Sequence, residues 1–149
     1  MSEIRIGIIG TGRIATRFMS ECDEVANVRV VAIYSHHIES VRFFVEQNKY
    51  SDELLQTADL EELFATVDAV YIATPHEYHF AYAKQALEAG KHVLCEKPLA
   101  LKGEDALELF ELAKARRLIC MEAIKTAYCP GFAEILRLIQ EGAIGKTYD

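Results

Sequence analysis

The sequence predicts an α/β fold: a doubly wound parallel sheet with helices on both faces. Three features predict it. A glycine-rich turn joins an apolar run to a helix start within Ile4–Ala15, strand and helix patterns alternate from there on, and the strands are apolar runs that stop at polar residues. With 149 residues, 51% of them hydrophobic, the chain has enough apolar material for one globular domain with its own core.

The first segment passes from the β-branched run Ile4-Arg5-Ile6-Gly7-Ile8-Ile9 into Gly10-Thr11-Gly12-Arg13-Ile14-Ala15. This matches G-x-G-x-x-A, in which glycines permit a tight turn and bring backbone N–H groups to a pyrophosphate at a helix N-terminus. Alone the match is weak, because glycine turns join many strands to helices. The rest of the chain decides between the two readings.

Ile14, Phe18 and Met19 recur at helical spacing, so a helix is expected over Arg13 to about Glu21, and Asn27 marks a break. Val28–Tyr34 has the near-continuous apolar character of a parallel strand buried on both faces. It ends in Ser35-His36-His37, where many dinucleotide folds carry a carboxylate for the ribose 2'-hydroxyl of NAD. Ser35 as a hydrogen-bond donor, with His36 and Arg13 as sources of positive charge, favours NADP over NAD; the alternative is that two solvated histidines simply open the next helix.

That helix is expected over Ile38–Gln47, with Val41, Phe44 and Val45 inward, followed by the polar connection Asn48–Asp52. A short strand is expected near Leu54–Gln56. Thr57 or Asp59 then caps a helix over Leu60–Ala65, with Glu61 and Glu62 in its first turn, where carboxylates complement the dipole. Asp68–Ala73 is the next buried strand, and Pro75 forces the chain to turn at the carboxyl edge of the sheet, where open α/β folds bind ligands.

A helix follows over His76–Ala89, with Phe80, Ala83, Ala86 and Leu87 inward and Gly90 as its stop. Lys91–Cys95 is a strand ending at Glu96-Lys97-Pro98. Then come a helix over Gly103–Ala115 (Leu107, Phe110, Leu112), a strand at Leu118–Met121 and a helix over Pro130–Gln140 (Phe132, Ile135, Leu136, Ile139).

A net charge of −7 and scattered Lys and Arg argue against nucleic acid or a membrane surface as partner. Cys22, Cys95, Cys120 and Cys129 lack metal-ligand spacing and disulfide density, so they read as small hydrophobes in or near the core, with no metal site. Without a secretory leader pattern or an apolar run near the ~20 residues of a membrane span, the expected compartment is cytoplasmic.

Four segments together resemble the N-terminal Rossmann domain of the Gfo/Idh/MocA oxidoreductases, the glucose-fructose oxidoreductase and inositol dehydrogenase group. They are Gly10–Ala15; Ala73-Thr74-Pro75 with His79; Ala86–Leu94 running into Glu96-Lys97-Pro98-Leu99-Ala100; and Met121-Glu122-Ala123. The third is the most specific. The resemblance covers almost the whole chain and implies an NAD(P)-dependent dehydrogenase or reductase acting on a sugar, polyol or related alcohol or carbonyl.

It further implies that Lys97 is the catalytic residue, holding the substrate's reacting oxygen and moving its proton; the alternative is an ordinary exposed lysine at a strand end. Cofactor contacts are implied at Gly10, Thr11, Gly12, Arg13, Ile14, Ser35, His36, Thr74, Pro75, His79, Glu96, Lys97 and Glu122. Glu96 would orient Lys97 or the nicotinamide ribose, or form a simple ion pair. In the family, Pro98 often follows a cis peptide.

The chain departs from the family pattern at His76, where many relatives carry Asn, and at Ala127 and Cys129, which replace an Arg and a His. Lys125 offers either a second cation to substrate or a solvated surface residue. The family also implies a second domain that covers the nicotinamide and commonly mediates homo-oligomerisation. Residues 1–144 read as the cofactor domain and residues 145–149 as the lead into that second domain, so cofactor binding without turnover is expected of this chain. The alternative from another class is a non-catalytic nucleotide-sensing or partner-binding module, which would have no evident need for Glu96-Lys97-Pro98.

Overall fold

The computed structural model describes residues 3–50 and 53–146. At its centre β1 (Ile4–Ile9) pairs in parallel with β2 (Val28–Tyr34) on one side and β4 (Ala69–Ile72) on the other. With β3 (Leu55–Thr57), β5 (His92–Cys95) and β6 (Cys120–Glu122), the sheet has the order β3-β2-β1-β4-β5-β6, parallel throughout. The strand order reverses between β1 and β4, which opens a crevice at the carboxyl edge.

Successive strand residues point to opposite faces, and each face has its own helices. Ile8, Ile33 and Tyr71 pack against α1 (Arg13–Cys22) and α2 (Ile38–Asn48) through Ala15, Met19, Val41 and Phe44. On the other face Ile9, Ala32, Val70 and Ile72 pack against α3 (Leu60–Thr66), α4 (His79–Glu88) and α5 (Gly103–Arg116). This is the doubly wound sheet that the alternation predicts.

An exposed but well-formed pair fixes the entry to β1 and β4. The Arg5 guanidinium donates to both carboxylate oxygens of Asp68, at 2.8 and 3.1 Å, and the Arg5 backbone N–H adds a bond of 2.9 Å. Asp59, rather than Thr57, caps α3: its Oδ1 accepts from the Glu61 N–H at 2.8 Å, while the Thr57 hydroxyl donates to Glu62.

Several expectations shift. Only the carboxyl half of β2 is fully buried, at Ala32, Ile33 and Tyr34. The helix expected from His76 begins as a 3-10 turn, His76–Tyr78, and Phe80 is half-buried; β6 starts two residues later than expected. In α5 the row facing the sheet is Leu109 and Ala113, four residues apart, leaving Leu107 and Phe110 on the outer side and exposed.

The final helix, α6 (Pro130–Gln140), has the expected bounds but buries none of its residues. It packs against the 3-10 turn Lys125–Tyr128, so Phe132, Ile135 and Leu136 stay exposed. Cys22 and Cys95 are buried and Cys120 half-buried, whereas Cys129 is exposed at the start of this helix and lies outside the core. Ser51 and Asp52 of the polar connection, and Thr147, Tyr148 and Asp149 of the stretch 145–149, lie outside the described residues. Among the described residues no helix is long and apolar enough to cross a membrane.

Candidate functional site

The glycine turn is shaped by the approach of two strand ends. Gly10 has φ +120°, and a Cβ there would stand 2.5 Å from the carbonyl oxygen of Ala73. The Gly10 N–H donates to Tyr34 O and the Ala73 N–H to Ile9 O, each at 2.9 Å, which draws the ends of β1, β2 and β4 together. Gly12 is the N-cap of α1 and has no side chain to cap it, the first turn carries no carboxylate, and nothing lies within 4 Å of a Cβ placed there. The N-terminal amides of a ten-residue helix are thus free to bind an anion, which fits the pyrophosphate of a dinucleotide.

A cleft of about 1040 Å³ surrounds this turn. Thr11, Gly12, Arg13 and Ile14 line it from the turn, Ser35 and His36 from the end of β2, and Thr74 and Pro75 from the end of β4. Arg13 and His36 are exposed there, and both line the same cleft as the half-buried Ser35. The structure adds an aromatic wall that the sequence reading missed. Tyr82 meets Tyr34 edge to face at 5.9 Å and lies 6.4 Å from Tyr78. Burial and Tyr82 push the Tyr34 hydroxyl up to about 12, so it is a neutral phenol. Tyr78 and Tyr82, four residues apart just after Pro75, were the available signal.

A second cleft, of about 820 Å³, adjoins the first at Ile14, which lines both. It holds Glu96, Lys97 and Glu122 above a largely apolar floor that includes Phe18, Tyr71 and Met121. Lys97 is exposed just beyond β5, and the Lys97–Pro98 peptide is cis. The Tyr71 hydroxyl donates to Glu96 Oε1 at 2.6 Å, and Glu122 Oε1 accepts the Leu99 N–H at 2.8 Å. Burial in the sheet, reinforced by Glu96, holds the Tyr71 hydroxyl well above the ordinary phenol range.

One residue is placed differently from expectation. His79 is not on the cleft surface: it is wholly buried, with Nδ1 2.7 Å from Pro98 O and Nε2 3.0 Å from Thr74 O. Both nitrogens face backbone carbonyls and the ring is buried, so it supports the cleft wall from behind and has no face to offer a cofactor. Lys125 lines the second cleft and is exposed, compatible with either reading of it, and its ammonium bonds Glu21, which also receives the Arg17 guanidinium. Those two cations hold the Glu21 carboxyl below its usual range.

Comparison with known proteins agrees with this geometry. A scyllo-inositol 2-dehydrogenase (NADP(+)) of Bacillus subtilis is 37% identical over 134 residues, 89% of this chain and 40% of the relative. A D-xylose 1-dehydrogenase (NADP(+)) of Hypocrea jecorina is 38% identical, covering 97% and 40%. Among solved structures, the 3-ketoreductase KijD10 of Actinomadura kijaniata in complex with NADP superposes with a TM-score of 0.86 at 32% identity, over 97% of this chain and 46% of that one. The chain therefore spans less than half the length of the relatives it matches. Residues 4–124 match the profile of the Gfo/Idh/MocA oxidoreductase family, NAD-binding Rossmann fold, and the chain belongs to that family.

Proposed function

We propose that this chain is the cofactor-binding part of an NADP(H)-dependent oxidoreductase acting on a sugar, polyol or related alcohol or carbonyl. One observation carries the reading: an exposed lysine, Lys97, lines a cleft that adjoins the one at the open N-terminus of α1, with Ile14 lining both. The names of the inositol and xylose dehydrogenases support both the cofactor and the sugar-like substrate.

The amides at Gly12 and Arg13 take the pyrophosphate. Ser35 donates to the 2'-phosphate, with Arg13 and His36 supplying charge, and Thr74 and Pro75 form the facing wall. When bound, the nicotinamide supplies or accepts the hydride. The Lys97 ammonium holds the substrate's reacting oxygen and moves its proton, stabilising charge that develops there. Glu122 keeps the segment after Lys97 in place through the Leu99 N–H.

Titration of the chain with NADPH and NADH at fixed salt tests the cofactor assignment, and tighter NADH binding overturns the preference for NADP. The chain by itself is expected to bind cofactor without steady-state turnover of any sugar carbonyl. In a protein carrying a second domain, Lys97→Ala is expected to lower kcat by roughly 10²–10⁴-fold. Unchanged turnover would remove the catalytic assignment.

A further inference from the structure

We propose that Tyr71 is a positioning residue that aims the Glu96 carboxylate at an O–H or N–H donor on the nicotinamide half of the cofactor, with Phe18 clamping its ring. The inference rests on the cofactor reading above. Tyr71 is the one residue of β4 with a polar side chain, and it is only 3% exposed. A phenol in a buried parallel strand must satisfy its hydroxyl, and here the hydroxyl donates to Glu96 Oε1 at 2.6 Å.

Phe18, from α1, stacks on the Tyr71 ring with centroids 3.6 Å apart and planes within 10°. The ring is thereby held between helix and sheet, and the hydroxyl has a fixed origin. The shift that keeps Tyr71 protonated makes it a lasting donor.

The consequence falls on Glu96, whose side chain would otherwise sample several rotamers at a half-buried cleft wall. With Oε1 held, Oε2 lies 3.4 Å from the Lys97 N–H, a long contact that leaves most of its acceptor capacity unused. A carboxylate oxygen with spare capacity beside Lys97 takes a hydrogen-bond donor, and the nicotinamide half carries two kinds: the ribose hydroxyls and the carboxamide N–H. Prepaying the carboxylate's orientation is what Tyr71 contributes.

The test separates the two halves of the cofactor. Tyr71→Phe keeps the ring, the stack and nearly all the volume, and removes only the hydroxyl. Binding of NADPH is expected to weaken about 5–10-fold, the net size of one ordinary hydrogen bond. Binding of adenosine 2',5'-bisphosphate, which lacks the nicotinamide half, is expected to stay within about twofold of the parent.

Glu96→Gln is expected to show the same selective loss, and Tyr71→Phe added to it to cost less than about twofold more, because the two residues act as one unit. Unchanged NADPH binding, equal weakening of both ligands, or additive losses in the double variant would each overturn the positioning role. A parent chain that binds neither ligand overturns the cofactor reading itself, and this proposal with it.

Discussion

His79 joins two carbonyls that the chain separates by more than twenty residues: Nδ1 faces Pro98 O at 2.7 Å and Nε2 faces Thr74 O at 3.0 Å, with the ring wholly buried. The end of β4 is thereby tied to the turn that carries Lys97. Both oxygens only accept, so which ring nitrogen donates depends on the tautomer.

Removing that ring would leave two carbonyls and a cavity behind the cleft. His79→Ala is expected to destabilise the fold by about 2–4 kcal/mol, read from denaturant unfolding. His79→Gln, which retains donors of similar reach, is expected to recover part of the loss. A cost below about 1 kcal/mol for the alanine variant would show that the link contributes little.

Gly10 and Gly12 predict opposite outcomes from the same substitution. A Cβ on Gly10 meets the Ala73 carbonyl at 2.5 Å on a backbone with φ +120°, so Gly10→Ala is expected to destabilise the fold by about 2 kcal/mol or more. Gly12 has φ −89° and open space around it, so Gly12→Ala is expected to fold with little change in Tm. If a pyrophosphate rests on that backbone, the added methyl still weakens NADPH binding by about tenfold or more. A Gly12→Ala chain with normal Tm and normal NADPH binding would move the pyrophosphate elsewhere.

Ser35 and its neighbours set the cofactor preference through charge. Ser35→Asp puts a carboxylate where the 2'-phosphate is proposed to sit. The ratio of NADPH to NADH affinity is expected to fall by about tenfold or more, since like charges in contact are costly. Parallel titrations read this ratio directly.

Asp68 predicts an acid-side loss of stability. Its bonds from the Arg5 guanidinium and backbone N–H hold its carboxyl at about 2, below the ordinary value of 3.8. A carboxyl depressed in the folded state stabilises it at pH values above the unfolded value, and this contribution fades as pH falls toward 2. Tm measured from pH 5 to pH 2 is expected to drop less steeply in Asp68→Asn than in the parent. The difference is expected to be small because both partners are exposed, with side chains 47% and 41% accessible.

The sequence by itself determined the sheet and the turn. Apolar runs that alternate with helical spacing can bury their surface in few ways, and the doubly wound parallel sheet puts Gly10, Ser35, Thr74 and Lys97 at a common edge. Those residues were legible because backbone direction alone, without side-chain detail, carries them to the carboxyl ends of β1, β2, β4 and β5.

Tertiary packing decided what no local pattern encodes. His79 sits near the start of a helix whose sequence would let it face the cleft or the interior, and only the position of Pro98 behind it selects the interior. Tyr71 reads as one more apolar strand residue until Phe18 and Glu96 arrive from elements far along the chain. Lys125 reads as a cation for substrate or a solvated surface residue, and only the packed fold shows that α1 brings Glu21 to it. In α5 the periodicity admits two apolar faces, and the sheet chooses Leu109 and Ala113 over Leu107 and Phe110. Sequence spacing sets which residues share an element and a direction, but which neighbour satisfies a buried polar group depends on contacts between distant segments, and those exist only once the two helical layers have closed on the sheet.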